Sequence, residues 1–281
     1  MIRLNENFVN IFENTQRKPQ LVHNITNYVT VNDCANILLA MGASPIMADD
    51  IKEVEEITTI CSALVLNIGT LNSRTVESMI AAGKKANELG HPVVLDPVGA
   101  GASKLRTETT HRLLKEVKFS VIRGNISEIK TVYAGAGTTK GVDADVKDAV
   151  TAETLDATIA LAKELAERTG AVIAITGAID LIADAKKAYV VKNGHCDMSK
   201  ITGTGCMLSA MTAAYVAANP EKALEAAVCA VASMGIAGEL ASRQVTNNQL
   251  GTGSLRTLII DNISTMTGNT IETYAKITLI P

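Results

Sequence analysis

Residues 202–206 read Thr-Gly-Thr-Gly-Cys and stand directly ahead of a long apolar segment that predicts a helix. Two glycines let the backbone turn so that several amide N–H groups converge, where the positive end of the helix dipole favours an anion. Cys206 falls just inside this helix, so we expect its thiol beside a bound phosphoryl group, with a lowered pKa that makes it partly thiolate. The alternative is a tight turn followed by a small buried cysteine, because short glycine motifs also arise by chance.

Further polar segments follow the predicted strands. The strands cover residues 63–66, 92–95, 120–122 and 171–175, and each is apolar on both faces, as expected for strands that helices cover on two sides. Ligands of open α/β sheets bind beyond the carboxyl ends of the strands, and carboxylates, an arginine and glycine loops there suit a metal ion with a polyphosphate. The polar segments are 67–70 (Asn-Ile-Gly-Thr), 96–102 (Asp-Pro-Val-Gly-Ala-Gly-Ala), 123–128 (Arg-Gly-Asn-Ile-Ser-Glu) and 176–177 (Thr-Gly).

Several familiar catalytic motifs do not occur in the sequence. No stretch reads Gly-x4-Gly-Lys-Ser/Thr, so a P-loop enzyme is excluded. The chain has neither a Gly-x-Ser-x-Gly nucleophile elbow nor a His-Glu-x2-His zinc helix. Residues 99–101 (Gly-Ala-Gly) lack the third glycine of a dinucleotide-binding fingerprint, which disfavours a dehydrogenase.

The composition excludes other classes of function. The chain has 281 residues, a net charge of −3 and 3% aromatic residues, which disfavours nucleic-acid binding. Five cysteines without a CxxC pair argue against a disulfide framework or a cysteine-rich zinc site. The N-terminus lacks the apolar run of a signal peptide, and the apolar stretch 226–238 is too short to span a bilayer. We therefore expect a cytoplasmic protein with no membrane partner.

The elements that must position these residues follow from alternating apolar patterns. Short apolar runs alternate with longer amphipathic segments, which is typical of an α/β fold with a mostly parallel sheet. No linker divides the chain, so we expect one domain over residues 1–281. We predict helices at 29–41, 73–89 and 151–168, a hairpin of 179–183 with 188–191 at the sheet edge, a mobile loop at 134–148, and a largely helical region at 206–266 broken at 219–220 and 247–253.

Seven motifs occur in one order along residues 20–255, and together they resemble the hydroxyethylthiazole kinase family of the ribokinase-like superfamily. The motifs are residues 23–27, 42–47, 66–70, 95–102, 122–128, 175–177 and 202–206. The resemblance implies a three-layer α/β/α sandwich and a homotrimer with active sites between subunits. It also implies ATP-dependent, Mg²⁺-assisted phosphorylation of the hydroxyl of 4-methyl-5-(2-hydroxyethyl)thiazole in thiamine salvage.

By position, the resemblance places Cys206 beside the acceptor hydroxyl, where related sugar and vitamin kinases usually carry an aspartate as general base. Phosphoryl transfer depends on positioning and charge neutralisation more than on a strong base, so a cysteine is tolerable there. We assign the amides of Gly203, Thr204 and Gly205 to an anion hole for the transferring phosphoryl group. Gly203 also matches a substrate-binding position.

The resemblance further implies a nucleotide and metal side of the site. Arg123 and Thr176 match ATP-binding positions, and the alternative for Arg123 is a salt bridge with a nearby carboxylate. Asp96 and Glu128 match the acidic residues that organise Mg²⁺ through water, since the ion keeps much of its hydration. The alternative for Glu128 is a helix-capping partner of Asn125, which is compatible with the metal role.

Asn27 and Met47 match the thiazole pocket, with Gly69 as a further candidate. The resemblance implies that in the trimer these residues face Cys206 of a neighbouring subunit. Two other functions stay open from the sequence. One is a kinase of another small alcohol such as hydroxymethylpyrimidine, and the other is a nucleotide or metabolite sensor that binds without turnover.

Overall fold

The computed structural model describes residues 4–135 and 153–280. Within this part of the chain, nine strands form one sheet. In chain order they are β1 (Leu21–Ile25), β2 (Ser44–Met47), β3 (Ala63–Asn67), β4 (Val93–Asp96), β5 (Val121–Gly124), β6 (Val172–Ile175), β7 (Asp180–Ala183), β8 (Ala188–Val191) and β9 (Ile277–Ile280).

The order of the strands across the sheet is β2-β1-β3-β4-β5-β6-β7-β8-β9. The first six strands of that order run parallel, and the last three are added antiparallel. Asn67 at the end of β3 is in register with Asp96 at the end of β4, so the two side chains start from neighbouring points of one edge. The carboxyl ends of β1 and of β3 to β6 all meet at this edge.

Helices cover both faces of the sheet. Alternate residues of β3 point to opposite faces, Ala63 and Val65 to one buried cluster and Leu64 and Leu66 to the other. The first cluster packs under α1 (Leu4–Arg17), α2 (Val31–Ala40), α8 (Thr204–Ala218), α9 (Ala223–Asn247), α10 (Thr252–Ser264) and α11 (Gly268–Tyr274). The second packs under α3 (Val54–Ile60), α4 (Ser73–Leu89), α5 (Lys104–Glu116), α6 (Ile126–Gly135) and α7 (Leu155–Thr169).

The three-layer α/β/α sandwich with a mostly parallel sheet is therefore confirmed. The four strands predicted from continuous apolar runs are confirmed as β3 to β6. Helix α4 has the bounds that the sequence predicts, and it ends at Gly90 in a left-handed conformation with φ of 72°. The last third of the chain is confirmed as helical, with its breaks between α8 and α9 and between α9 and α10.

The predicted hairpin is confirmed as β7 and β8, but its place at the sheet edge is wrong because β9 pairs with β8. Helix α2 is shorter than the predicted 29–41, and α7 begins at Leu155 rather than at 151. The loop predicted at 134–148 falls, beyond Gly135, outside the described residues. Its first two residues end helix α6.

The stretch 226–238 lies in the middle of α9, where every residue is buried. The segment Pro220–Asn247 is long and apolar enough to cross a membrane by length and composition alone. In the protein, 83% of the most apolar 18-residue stretch of this segment is buried, because α9 packs against the sheet and against α8 and α10. We therefore assign α9 as a core helix.

Candidate active site

The candidate site is built on the N-terminus of α8, where the sequence predicts an anion hole. Gly203 caps the helix with φ of 98°, a conformation that a side chain disfavours, and a Cβ there would also lie 3.0 Å from Thr30 Cγ2. The first intrahelical bond runs from the Met207 amide to the Gly203 carbonyl at 2.8 Å. The amides of Gly203, Thr204, Gly205 and Cys206 therefore have no intrahelical acceptor and can bind an anion.

The Cys206 thiol is held between two asparagine side chains. Its Sγ accepts hydrogen bonds from Asn27 Nδ2 at 3.2 Å and from Asn67 Nδ2 at 3.3 Å. Burial raises the pKa of Cys206 above its ordinary value, the negative charge of Asp96 adds to the rise, and the asparagine donors oppose it. The expectation of a lowered pKa is wrong, because desolvation and a nearby carboxylate outweigh the hydrogen bonds of Thr30, Asn27 and Asn67 to the thiol. Cys206 is therefore a neutral thiol at neutral pH.

Asn27 contacts Cys206 of its own chain. It lies in the loop between β1 and α2, where its Oδ1 accepts from the amide and the hydroxyl of Thr30 at 3.1 and 3.0 Å. Those bonds turn its Nδ2 toward Cys206. The expectation that Asn27 faces Cys206 of a neighbouring subunit is therefore wrong, since β1 and α8 of the same chain bring the two side chains together.

Asp96 ends β4 and is fully buried below the N-terminus of α8. Its Oδ2 accepts from Asn67 Nδ2 and from Ser209 Oγ, both at 2.8 Å. Its Oδ1 has no hydrogen-bond partner among the described residues and lies 3.6 Å from Arg123 Nη1. Burial raises the pKa of Asp96 to about 6, against the opposing charge of Arg123. One carboxylate oxygen is thus fixed and the other is left to a ligand.

Arg123 spans the site from the penultimate residue of β5. Its Nη2 donates to Thr176 Oγ1 at 2.6 Å, and its Nη1 pairs with Asp96. The salt-bridge alternative for Arg123 is therefore observed, although at 3.6 Å the pair is loose. The guanidinium lies so near α8 that a Cβ at Gly205 would be 2.5 Å from Nη1. A fixed cation thus stands directly at the predicted anion hole.

Glu128 occupies the third position of α6 and closes a reciprocal cap with Asn125. Its amide donates to Asn125 Oδ1 at 2.9 Å, and its Oε2 accepts from the Asn125 amide at 2.8 Å. Its Oε1 accepts from the amide of Gly99 at 2.8 Å, which ties α6 to the loop after β4. The capping alternative is confirmed, and each oxygen keeps a second lone pair for a metal-bound water.

The other two candidates for the thiazole pocket, Gly69 and Met47, differ in how closely they approach the polar group around Cys206. A Cβ at Gly69 would lie 3.0 Å from Asn27 Cβ and from Asn67 Oδ1, so Gly69 adjoins the asparagine pair. Met47 ends β2 and is half-buried at the rim of the core cluster against which Cys206 also packs. Met47 is thus on the outer strand of the sheet rather than in the polar group around Cys206.

Sequence reasoning gave no role to Asn67, Ser209 and Arg106. Arg106, on α5, donates to the carbonyls of Val98 and Gly69, both at 2.6 Å, and so joins the loops that follow β4 and β3. Asn67 is the polar last residue of the otherwise apolar strand β3, and Ser209 is a hydroxyl in a buried apolar helix three residues after Cys206. A polar residue at an otherwise apolar position is the sequence signal that could have identified Asn67 and Ser209 as site residues.

Comparison with known proteins finds relatives that match nearly the whole chain. A model of the hydroxyethylthiazole kinase family matches residues 12–269. A hydroxyethylthiazole kinase of Clostridium acetobutylicum is 62% identical over 94% of this chain and 96% of its own length. The structure of the hydroxyethylthiazole kinase protein of Pyrococcus horikoshii has a TM-score of 0.86 at 35% identity, covering 98% of this chain and all of that one.

The fold extends to more distant proteins. A ribokinase-like superfamily protein of Enterococcus faecalis shares the fold with a TM-score of 0.57 at 11% identity, over 89% of each chain. The architecture is therefore ribokinase-like, as the sequence predicts. The family match covers nearly the whole chain, and its relatives align over nearly their full length. The chain belongs to the hydroxyethylthiazole kinase family.

Proposed function

We propose that this chain phosphorylates the hydroxyl of 4-methyl-5-(2-hydroxyethyl)thiazole with ATP, a reaction of thiamine salvage. The observation that carries the proposal is the convergence of Cys206, Arg123 and Asp96 at the amides that begin α8. A small-alcohol kinase needs an anion hole, a fixed cation and a carboxylate around one transferring phosphoryl group. The family membership then supplies the substrate class.

In the proposed reaction, the hydroxyl oxygen forms a bond to the γ-phosphorus, and the bond to the β,γ-bridging oxygen breaks. ADP leaves, and the hydroxyl proton is released to solvent as the phosphate ester forms. The negative charge of the transferring phosphoryl group would be stabilised by the amides of Gly203, Thr204 and Gly205 and by the Arg123 guanidinium. Since the Cys206 thiol is neutral, we assign it to orienting the acceptor hydroxyl rather than to strong base catalysis.

The residues present fit a magnesium ion and a nucleotide. Asp96 Oδ1 is a buried carboxylate oxygen without a hydrogen-bond partner in the described chain, and Mg²⁺ prefers such hard oxygen ligands. Glu128 would hold the ion through a water, since backbone amides already engage both of its oxygens. Bound Mg²⁺ would neutralise charge on the triphosphate. Arg123 and Thr176, already joined to each other, would bind the nucleotide phosphates.

The thiazole ring would lie beside Asn27, Met47 and Gly203, with Gly69 at its border. A thioether next to a flat sulfur heterocycle is a favourable contact. Because Met47 lies on the outer strand β2, we propose that a second copy of the chain completes the pocket there in a homotrimer. The segments that follow β1 and β2 in the chain expose large apolar side chains, which supports such contacts; they are Tyr28, Val29, Leu39, Ile51 and Ile60.

The chain is further proposed to be one domain that works in a reducing cytoplasm, which its five free cysteines support. A panel assay of ADP release tests the substrate. We expect release with Mg-ATP that depends on the thiazole alcohol and is slower with hydroxymethylpyrimidine. Faster release with the pyrimidine would assign the other alcohol, and ligand binding without any release would indicate a sensor.

A further inference from the structure

We infer that Asn67 is a positioning residue, which holds Asp96 and Cys206 in one fixed arrangement for phosphoryl transfer. The inference rests on the proposed kinase function and adds a residue to it. Asn67 ends β3 and has 2% of its surface exposed. All four of its side-chain hydrogen bonds are made inside the candidate site, so it stands at the centre of the polar group that the reaction would use.

The orientation of the Asn67 amide is determined by a backbone donor. Its Oδ1 accepts from the Gly69 amide at 2.9 Å, and a backbone N–H can only donate. The Nδ2 group must therefore point the other way, where it donates to Asp96 Oδ2 at 2.8 Å and to Cys206 Sγ at 3.3 Å. One amide group thus joins the proposed metal-binding carboxylate to the proposed acceptor-orienting thiol.

Two hydrogen bonds hold the Oδ2 atom of Asp96 in place, and this orientation leaves its Oδ1 atom available to a ligand. Ser209 donates to the same Oδ2 atom at 2.8 Å, so two donors hold that oxygen from β3 and from α8. The Oδ1 atom is left facing Arg123. Without Asn67, the carboxylate would lose one of these donors and could rotate, which would misplace Oδ1 relative to the phosphoryl group.

Asn67 also completes the surroundings of Cys206. Its Oδ1 accepts from Asn27 Nδ2 at 3.0 Å, and Asn27 is the second donor to the Cys206 sulfur. Asn27 keeps its own anchors on Thr30 whether or not Asn67 is present. Removal of Asn67 should therefore disturb the reacting geometry more than the binding of the alcohol.

The test is Asn67→Ala, with Asn24→Ala as a matched control. Asn24 is an asparagine of β1 with the same 2% exposure, and its Nδ2 donates to the Val22 carbonyl rather than to Asp96 or Cys206. We expect Asn67→Ala to lower kcat about 10- to 100-fold, the usual effect of losing an outer partner of a metal site. The KM values for ATP and alcohol, and the ATP affinity from calorimetry, should change by less than about threefold.

Asn24→Ala should lower Tm with little change in kcat per folded molecule. If the alanine variant does not fold, Asn67→Asp is the substitute variant. It keeps the acceptor for the Gly69 amide and loses the donor to Asp96, so it should lower kcat at least as much as Asn67→Ala. The effect of Asn67→Ala should shrink in a Cys206→Ala background, since partners in one network are not additive.

A kcat for Asn67→Ala within about twofold of the wild type, or a loss confined to KM, would overturn the inference. An equal loss of kcat in Asn24→Ala would also overturn it, because burial of any asparagine would then explain the effect. If the wild type itself shows no alcohol-dependent turnover, the proposed function fails instead, so the two failures are distinguishable.

Discussion

Cys206 shows how the surroundings of a residue can reverse what its sequence position indicates. A thiol at a helix N-terminus is expected to ionise, yet burial and Asp96 raise the pKa of Cys206. The sulfur instead accepts two amide hydrogen bonds. In the proposed reaction, positioning by this thiol therefore matters more than its basicity, which agrees with a phosphoryl transfer that needs little base catalysis.

Replacement of Cys206 separates positioning from basicity. We expect Cys206→Ala to lower kcat by roughly tenfold or more, because the acceptor hydroxyl loses its partner. Cys206→Asp should retain or raise kcat, since a carboxylate can take the hydroxyl proton. Steady-state assays of both variants check this, and an unchanged kcat in Cys206→Ala would remove any role of the thiol.

Asp96 should make stability depend on pH. Burial raises its pKa to about 6 in the folded protein, above the ordinary value of 3.8. Its contribution to the free energy of unfolding is then fully present below about pH 4 and is lost as the pH rises to about 6. Asp96→Asn should therefore gain stability relative to the wild type as the pH rises from about 4 through about 6, and the difference should level off above that range. Denaturant unfolding without metal or nucleotide measures this, and a constant difference would contradict the raised pKa.

At the scale of elements, the site depends on how α8 meets the strand ends. The helix begins where Arg123 from β5 reaches it, and the absence of a side chain at Gly205 permits that approach. The proposed anion hole therefore combines the amides of one helix with a cation from a neighbouring strand. Glycine is needed at position 205 because a Cβ there would collide with Arg123, and not because the backbone conformation requires it.

Gly205→Ala tests this contact. The added Cβ would lie 2.5 Å from Arg123 Nη1, so the guanidinium must move away from the anion hole. We expect kcat to fall about 10- to 100-fold, comparable to loss of a charge-stabilising donor, with an unchanged or raised Tm. The control is Gly253→Ala, at the second position of α10, where an added Cβ meets nothing within 4 Å. Equal activities of the two variants would contradict the role of the contact.

Among the strands, sequence patterns predicted those with continuous apolar runs and missed β1, β2 and β9. Strands β3 to β6 are apolar on both faces, whereas β1 carries His23 and Asn24, and β9 is partly exposed. The pattern also predicted which side chains follow the strands. It could not show that Asn67 bonds both Asp96 and Cys206, because that bond pattern depends on how α8 lies against β3 and β4.

At the scale of the whole molecule, the parallel strand order gathers the ends of β3, β4, β5 and β6 under one helix terminus. Site residues spread between positions 67 and 206 of the sequence therefore meet within one chain, and Asn27 contacts Cys206 in the same chain. Met47 lies apart on β2, and the segments that follow β1 and β2 expose several large apolar side chains. The molecule therefore carries its polar reaction groups within one chain, and the proposed second copy completes the apolar wall.

The proposed homotrimer predicts a solution mass near three times the 29.6 kDa of one chain. Leu39→Asp on α2, at a side chain with 58% exposure, should lower that mass, because a charge opposes burial of the surface. Leu105→Asp on α5, with 49% exposure on the other face, should leave it unchanged. Light scattering after size exclusion measures all three, and a monomeric wild type would contradict the trimer.

The central claim is that this site transfers the γ-phosphoryl group of ATP to the thiazole alcohol. The most direct measurement is mass spectrometry of the products formed from Mg-ATP and 4-methyl-5-(2-hydroxyethyl)thiazole by the wild-type protein. We predict one thiazole phosphate ester for each ADP, and no ester from a preparation that lacks the protein. ADP without ester, or no product despite saturating substrates, would contradict the claim.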